Sequence, residues 1–213
     1  MGTFLGDDKM AEKFKKNVYQ FKITLKDIEP KIWRIIQVPE EYSFWDLHVA
    51  IQDVMGWTDS HLHQFRILDP KDSEETLIGI SNEDIYDREL PEIVSGRKKF
   101  IRDYFSLKPY NHCYYEYDFG DGWLHEVRLE KILPATSSLK YPICLAGERA
   151  CPPEDCGGVG GYEHFLEIIH NPQHEEHKGT LEWVGGKFDS EKFSPQTVHF
   201  DNPKKRWKLA FEN

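Results

Sequence analysis

The chain has 213 residues with 27 basic and 37 acidic side chains, so its formal net charge is −10 at pH 7. This excess of negative charge disfavours broad, nonspecific attraction to phosphate backbones or anionic membranes. No apolar run approaches the roughly 20 residues needed to cross a bilayer, and the N-terminus lacks the apolar stretch of a signal peptide. We therefore expect a cytoplasmic protein whose four cysteines are reduced, and hence structural, metal-binding or reactive.

The first part of the chain predicts a tail followed by two strands. Residues 1–16 are charged and are expected to form a mobile or weakly helical tail. Apolar and polar side chains alternate over residues 18–25, which is typical of a half-buried strand, and residues 31–38 are predicted to return as a second strand.

The next element is the best-defined helix in the sequence. Ser43 is a candidate N-cap and Asp46 follows three residues later, an arrangement that resembles a capping box. Gly56 is a natural C-terminal stop. Residues 61–68 then predict a third strand, which completes a ββαβ start.

The segments that follow are less regular. Residues 71–95 are acidic and rich in turn formers, so we predict a loop with short elements. Residues 96–107 carry apolar side chains at helical spacing.

A β-hairpin is predicted in the centre of the chain. Residues 112–118 and 123–131 alternate, and they are rich in aromatic and β-branched side chains. Gly120-Asp121-Gly122 between them is a strong turn signal, because Gly supplies positive φ without steric cost. The face with Trp123 should be buried. His125 shares that face, so it must be hydrogen-bonded or act as a ligand.

The C-terminal part predicts several helices. Residues 157–161 are too glycine-rich for regular structure, and a short helix should follow from Tyr162. Residues 173–184 predict another helix. Two Pro-containing pairs indicate a short turn and then a C-terminal helix, namely Ser194-Pro195 and Asn202-Pro203.

Acidic residues accumulate at the hairpin turn and in the segment after Pro152-Pro153. We predict that these two motifs meet in space and form the functional surface, because both lie on connections and the proline segment is stiff. In the alternative interpretation the acids only shape the turn and cap the following helix. The residues of this candidate surface are Asp118, Asp121, Trp123, His125, Glu154 and Asp155.

Three cysteines suggest a metal site. Cys144, Cys151 and Cys156 are close in sequence, and thiolates suit tetrahedral zinc with one further ligand. His125 is our candidate for that ligand. Alternatively, the cysteines are small core residues. Other possible fourth ligands are His112, Cys113 and His164. His61 and His63 are two apart and could bind a metal from one strand face.

The motifs resemble one known family. Tyr117-Asp118-Phe119-Gly120-Asp121-Gly122-Trp123, the run from Cys151 to Gly158, and Gly56-Trp57 with His61-Leu62-His63 look like the plasmid pRiA4b ORF-three-like family. Its members resemble passenger proteins of plasmids and insertion elements, and they often carry a "TnpR-like" resolvase label. The resemblance implies no established activity, and the Ser beside Arg residues that a serine resolvase needs has no counterpart in the motifs found.

These observations predict an α+β protein with a mixed β-sheet, a β-grasp-like ββαβ start, a later hairpin and C-terminal helices, arranged as a single domain over residues 17–213. The first function hypothesis is a non-enzymatic binding module of plasmid or mobile-element biology, stabilised by zinc if a metal is bound, with a protein or small ligand as partner. The alternatives are a DNA-binding or recombination accessory and a metal-dependent enzyme using the Asp/His/Glu cluster.

Overall fold

The computed structural model describes residues 16–81 and 93–212. Its strands are β1 (Asn17–Leu25), β2 (Trp33–Pro39), β3 (His63–Leu68), β4 (Glu75–Gly79), β5 (Val94–Ser95), β6 (His112–Tyr117), β7 (Trp123–Pro134) and β8 (Ile143–Glu148). They form one open sheet in the order β5-β4-β3-β6-β7-β1-β2-β8. Neighbouring strands are antiparallel except β4 and β5, which are parallel.

Four α-helices accompany the sheet in the described residues. They are α1 (Phe44–Met55), α2 (Gly158–His170), α3 (His177–Trp183) and α4 (Pro203–Phe211), and single 3₁₀ turns lie at Ile101–Asp103 and Pro195–Thr197. The predicted α+β class, the ββαβ start, the later hairpin and the C-terminal helices are thus confirmed. In the sheet, hairpin β6–β7 lies between β1 and β3, so the strands of the ββαβ start are not all neighbours. No helix in the described part of the chain is long and apolar enough to span a bilayer.

Helix α1 begins and ends where its sequence predicts. The Ser43 side chain accepts a hydrogen bond from the Asp46 N–H, and the Asp46 carboxylate accepts one from the Ser43 N–H. Gly56 has φ 93° and ends the helix, with its N–H donating to the Gln52 carbonyl. This reciprocal capping satisfies backbone groups that the helix alone leaves unpaired.

The core lies between α1 and the sheet. Phe44, the first residue of α1, packs edge-on against Phe65 of β3 with ring centroids 5.1 Å apart. Strand β1 contributes every second side chain, as its alternation predicts, and burial of this apolar area is the main stabilising contribution. The buried residues of β1 on this face are Tyr19, Phe21, Ile23 and Leu25.

A buried arginine attaches the C-terminal half of the chain to this core. The Arg34 side chain is 1% exposed, and its guanidinium donates to the carbonyls of Val54, Glu148 and Arg149 at 2.8–2.9 Å. A buried charge needs such a set of partners, because unpaired burial is very costly. Arg34 therefore joins β2 to the end of α1 and to the chain that leads into Cys151.

Two sequence predictions need correction. The helical spacing over residues 96–107 corresponds to one 3₁₀ turn, because the Ile101 N–H donates to the Tyr42 carbonyl and tertiary bonds replace helical ones. Helix α2 begins at Gly158, inside the glycine run predicted to be irregular. The region predicted over residues 71–95 as a loop with short elements contains the short strands β4 and β5, as expected. Residues 82–92 of this region and residues 1–15 of the predicted tail lie outside the described chain.

Candidate functional site

The hairpin turn and the segment after Cys151 are in direct contact. The Asp121 carboxylate accepts a hydrogen bond from the Gly157 N–H at 3.1 Å. A Cβ on Gly158 would lie 2.4 Å from the Asp121 carbonyl oxygen, so only glycine allows the two backbones to approach this closely. The contact between the hairpin turn and the 152–157 segment, which we call the junction, contains the four acids predicted from the two motifs: Asp118, Asp121, Glu154 and Asp155.

Asp118 is held at this junction by the turn that it starts. Its Oδ1 accepts hydrogen bonds from the N–H groups of Gly120 and Asp121 at 2.9 and 3.3 Å. Its φ of 57° lies in the left-handed region, which Asp tolerates better than most residues. With Oδ1 engaged by the turn, the other oxygen, Oδ2, is oriented toward His61.

His61, Asp118 and Asp155 form what we call the outer cluster. The Nε2 atom of His61 is 2.9 Å from Asp155 Oδ1 and 3.5 Å from Asp118 Oδ2. One donor atom from each residue lies within 4.8 Å of the others. The His61 and Asp155 side chains are 30% and 69% exposed, so the cluster faces solvent. A cation placed among these donors would offset the repulsion between the two carboxylates.

Glu154 has a structural role beside this cluster. Its carboxylate accepts hydrogen bonds from the Thr58 N–H at 2.7 Å, from the Thr58 hydroxyl and from the Tyr117 hydroxyl. Burial, followed by the Glu154 charge, raises the pKa of Tyr117, so this phenol remains a hydrogen-bond donor. Glu154 thereby connects the 152–157 segment to the loop before β3.

Trp123 and His125 belong to the core rather than to the junction. They lie opposite Tyr117 and Tyr115 in the hairpin, and both are at most 1% exposed. His125 Nδ1 faces the carbonyls of Trp123 and Tyr115 at 3.1 and 3.3 Å, so it carries the ring proton. Burial lowers the pKa of His125 to about 4, and the ring is therefore neutral.

The predicted zinc donors do not come together. Among the described residues, only two groups of three His, Cys, Asp or Glu side chains have donor atoms within 4.8 Å of one another. Neither group contains a cysteine. The physical reason is that His125 points into the core, while the Cys144 thiol on β8 donates to the Ala146 carbonyl. All four cysteines are free. Burial raises the pKa of Cys156 to about 12, which keeps the thiol protonated.

The second group is formed by His48, Asp59 and His63, which we call the inner cluster. His48 Nε2 is 2.8 Å from Asp59 Oδ1, and the rings of His48 and His63 stack with centroids 3.4 Å apart. His48 and His63 are at most 2% exposed. His61 and His63, predicted to share one strand face, are therefore divided between the two clusters.

The sequence contained a signal for the inner cluster that motif reasoning missed. His48 and Gln52 are polar residues four apart on α1, and both are fully buried. A polar pair at that spacing among apolar neighbours indicates buried hydrogen bonds or ligands. For the outer cluster, the acids were predicted, but the role of His61 as their shared partner was not.

Comparisons with known proteins agree with this fold. The family model described as "Plasmid pRiA4b ORF-3-like protein" matches residues 17–197, and the chain belongs to that family. It is 36% identical over 175 residues to "Uncharacterized protein y4hQ" of Sinorhizobium fredii (strain NBRC 101917 / NGR234), covering 82% of this chain and 84% of that protein.

A solved structure is also similar. It is the crystal structure of a protein of unknown function, MM3350 from Methanosarcina mazei Go1, with a TM-score of 0.79 and 48% sequence identity. The match covers 87% of this chain and 99% of that one. The family and the fold are therefore shared with proteins whose own function is not described.

Proposed function

We propose that the protein is a non-enzymatic binding module whose outer cluster holds a divalent cation. The observation that carries this proposal is the convergence of His61, Asp118 and Asp155 from three separate segments, with donor atoms within 4.8 Å of one another. Two carboxylates and one imidazole are ligands that Mn²⁺ and Zn²⁺ accept.

The exposure of the outer cluster supports a binding role for the ion. Three protein ligands leave coordination positions open, and these face solvent because Asp155 is 69% exposed. A protein or small ligand could then complete the coordination with an oxygen atom. The net charge of −10 favours such a partner over nonspecific duplex binding. A setting in plasmid or mobile-element biology is part of the proposal, and its support is the family description.

The test is calorimetric titration of the chelator-treated, full-length protein with Mn²⁺. We expect saturable binding that Asp155→Asn weakens by more than about tenfold, since the variant loses a charged ligand. Asn tolerates the left-handed backbone at this position, where φ is 56°, so the variant should remain folded.

Glu154→Gln is the matched control, because this neighbouring acid lies outside the donor set. It should bind Mn²⁺ nearly as the parent protein does. Absence of Mn²⁺ binding in the parent protein, or equal Mn²⁺ affinity in Asp155→Asn, would contradict the proposal.

A further inference from the structure

We propose that the inner cluster of His48, Asp59 and His63 is a second metal site, suited to a divalent transition-metal ion such as Zn²⁺. This site is independent of the outer cluster, because the two share no residue. Two imidazoles and one carboxylate favour first-row transition metals over Mg²⁺ and Ca²⁺, which prefer oxygen ligands alone.

An unpaired nitrogen points to a ligand at this site. His63 is 2% exposed, and its Nε2 atom is buried with no hydrogen-bond partner among the described residues. Leaving such an atom unpaired is unfavourable, because a buried polar group loses its bonds to water without gaining a new partner. Donor atoms of His48 and Asp59 lie within 4.8 Å of a donor atom of His63, so one ion could engage all three residues.

Gln52 and Tyr115 form hydrogen bonds that orient Asp59 and His48, as residues behind metal ligands usually do. The Asp59 N–H donates to Gln52 Oε1 at 3.1 Å, which fixes the Gln52 amide so that its Nε2 donates to the Tyr115 hydroxyl. Tyr115 in turn contacts His48 Nδ1 at 2.8 Å. When His48 binds an ion through Nε2, its Nδ1 proton can be donated to the Tyr115 oxygen, and metal-bound histidines usually make a bond of this kind.

An ion could reach the site through a neighbouring pocket. Asp59 and Thr58 line a pocket of about 650 Å³ between Trp57 and helix α4. Arg206 also lines it, but its charge is balanced by Asp53 and Asp201, each 2.6 Å from its guanidinium. Access, oriented ligands and a defined donor set are the features that a metal site requires.

Binding needs one local rearrangement. The rings of His48 and His63 are nearly parallel, at 7°, so their in-plane lone pairs do not converge on one point. The His63 ring, whose Nε2 has no partner in the described residues, must turn about its Cβ–Cγ bond, which is a soft torsion, while the Tyr115 bond keeps the His48 ring in place. Ion binding should therefore unstack the two rings and change their NMR signals.

The experiment uses the full-length Asp118→Asn/Asp155→Asn protein, from which the outer cluster has been removed, and titrates it with Co²⁺. We expect about one Co²⁺ per chain, with the visible absorption of a nitrogen-ligated ion, and displacement by Zn²⁺. Adding His63→Gln should weaken binding at least about 100-fold, whereas adding His112→Gln, an exposed histidine outside both clusters, should leave it unchanged.

A second measurement avoids the risk that His63→Gln fails to fold. In the same double variant labelled with ¹⁵N-histidine, Zn²⁺ should shift the ring signals of His48 and His63 and leave those of His125 in place. Unchanged ring signals with no cobalt absorption would show that water rather than metal satisfies His63, and would overturn the proposal. Equal Co²⁺ affinity in a folded His63→Gln protein would overturn it as well. Loss of Mn²⁺ binding at the outer cluster has no bearing on either result.

Discussion

The inner and outer clusters use the same residue types in opposite environments. In the inner cluster, burial excludes solvent, and His48, Gln52 and Tyr115 are joined in one hydrogen-bonded chain that ends on Asp59. In the outer cluster, Asp155 is 69% exposed, so water can replace any partner it loses. A buried polar group that loses its partner destabilises the fold, because no water replaces that partner, whereas an exposed group is solvated again. Mutations in the inner cluster should therefore lower the free energy of unfolding more than mutations in the outer cluster.

The largest expected effect is in the inner cluster. Tyr115→Phe removes a hydroxyl that contacts both Gln52 and His48, and it leaves two buried polar atoms without that partner. We expect the free energy of unfolding to fall by roughly 3 kcal/mol. Urea denaturation measures this as a lower midpoint with an unchanged slope. Tyr114→Phe is the control, because Tyr114 precedes it on β6 and its side chain points to the opposite face of the sheet. Similar losses in both variants would mean that the hydrogen bonds of Tyr115 to Gln52 and His48 do not contribute to the free energy of unfolding.

The next effect concerns the backbone contact that supports the outer cluster. Gly158→Ala adds a Cβ 2.4 Å from the Asp121 carbonyl oxygen, at a residue with φ +69°. Strain and overpacking should lower the free energy of unfolding by roughly 2 kcal/mol. Gly160→Ala lies in the same helix with nothing within 4 Å of the new Cβ, so it should be neutral or slightly stabilising. A thermal melt of both variants compares them directly. Equal melting temperatures would show that the turn and helix α2 separate at no cost.

The same contrast explains how far the sequence alone could predict this molecule. Helix α1 and hairpin β6–β7 were predictable because their signals are local, namely Ser43 with Asp46 for the cap and Asp121-Gly122 for the turn. The four acids at the junction were predictable because they lie in two compact sequence motifs. The role of His61 was not, since its partners belong to β6–β7 and to the 152–157 segment, and only the tertiary structure brings them together.

The inner cluster was harder to predict for a further reason. Its residues come from α1, from the following loop and from β3, and Tyr115 comes from β6. Apart from the polar pair His48 and Gln52 on α1, each residue has an ordinary structural explanation within its own element. For the cysteines, the sequence suggested a site that the structure does not assemble. Their proximity in sequence suggested zinc, whereas Cys144 lies on β8 and His125 points into the core.

The smallest expected effects test the outer cluster with two adjacent acids. Glu154 accepts hydrogen bonds from the Thr58 N–H and the Tyr117 hydroxyl. The side-chain partner of Asp155 in the described structure is His61, which is itself partly exposed. We therefore expect Glu154→Gln to lower the free energy of unfolding by about 1 kcal/mol, because charge-assisted bonds become neutral ones. Asp155→Asn should change it by less than about 0.5 kcal/mol, because an exposed ion pair contributes little. Chemical denaturation of both variants in the presence of a chelator excludes any contribution from bound metal. If Asp155→Asn proved the more destabilising, the contact between His61 and Asp155 would be part of the folded framework. The outer cluster would then resemble the inner one, and the assignment of Asp155 to ion binding would lose its basis.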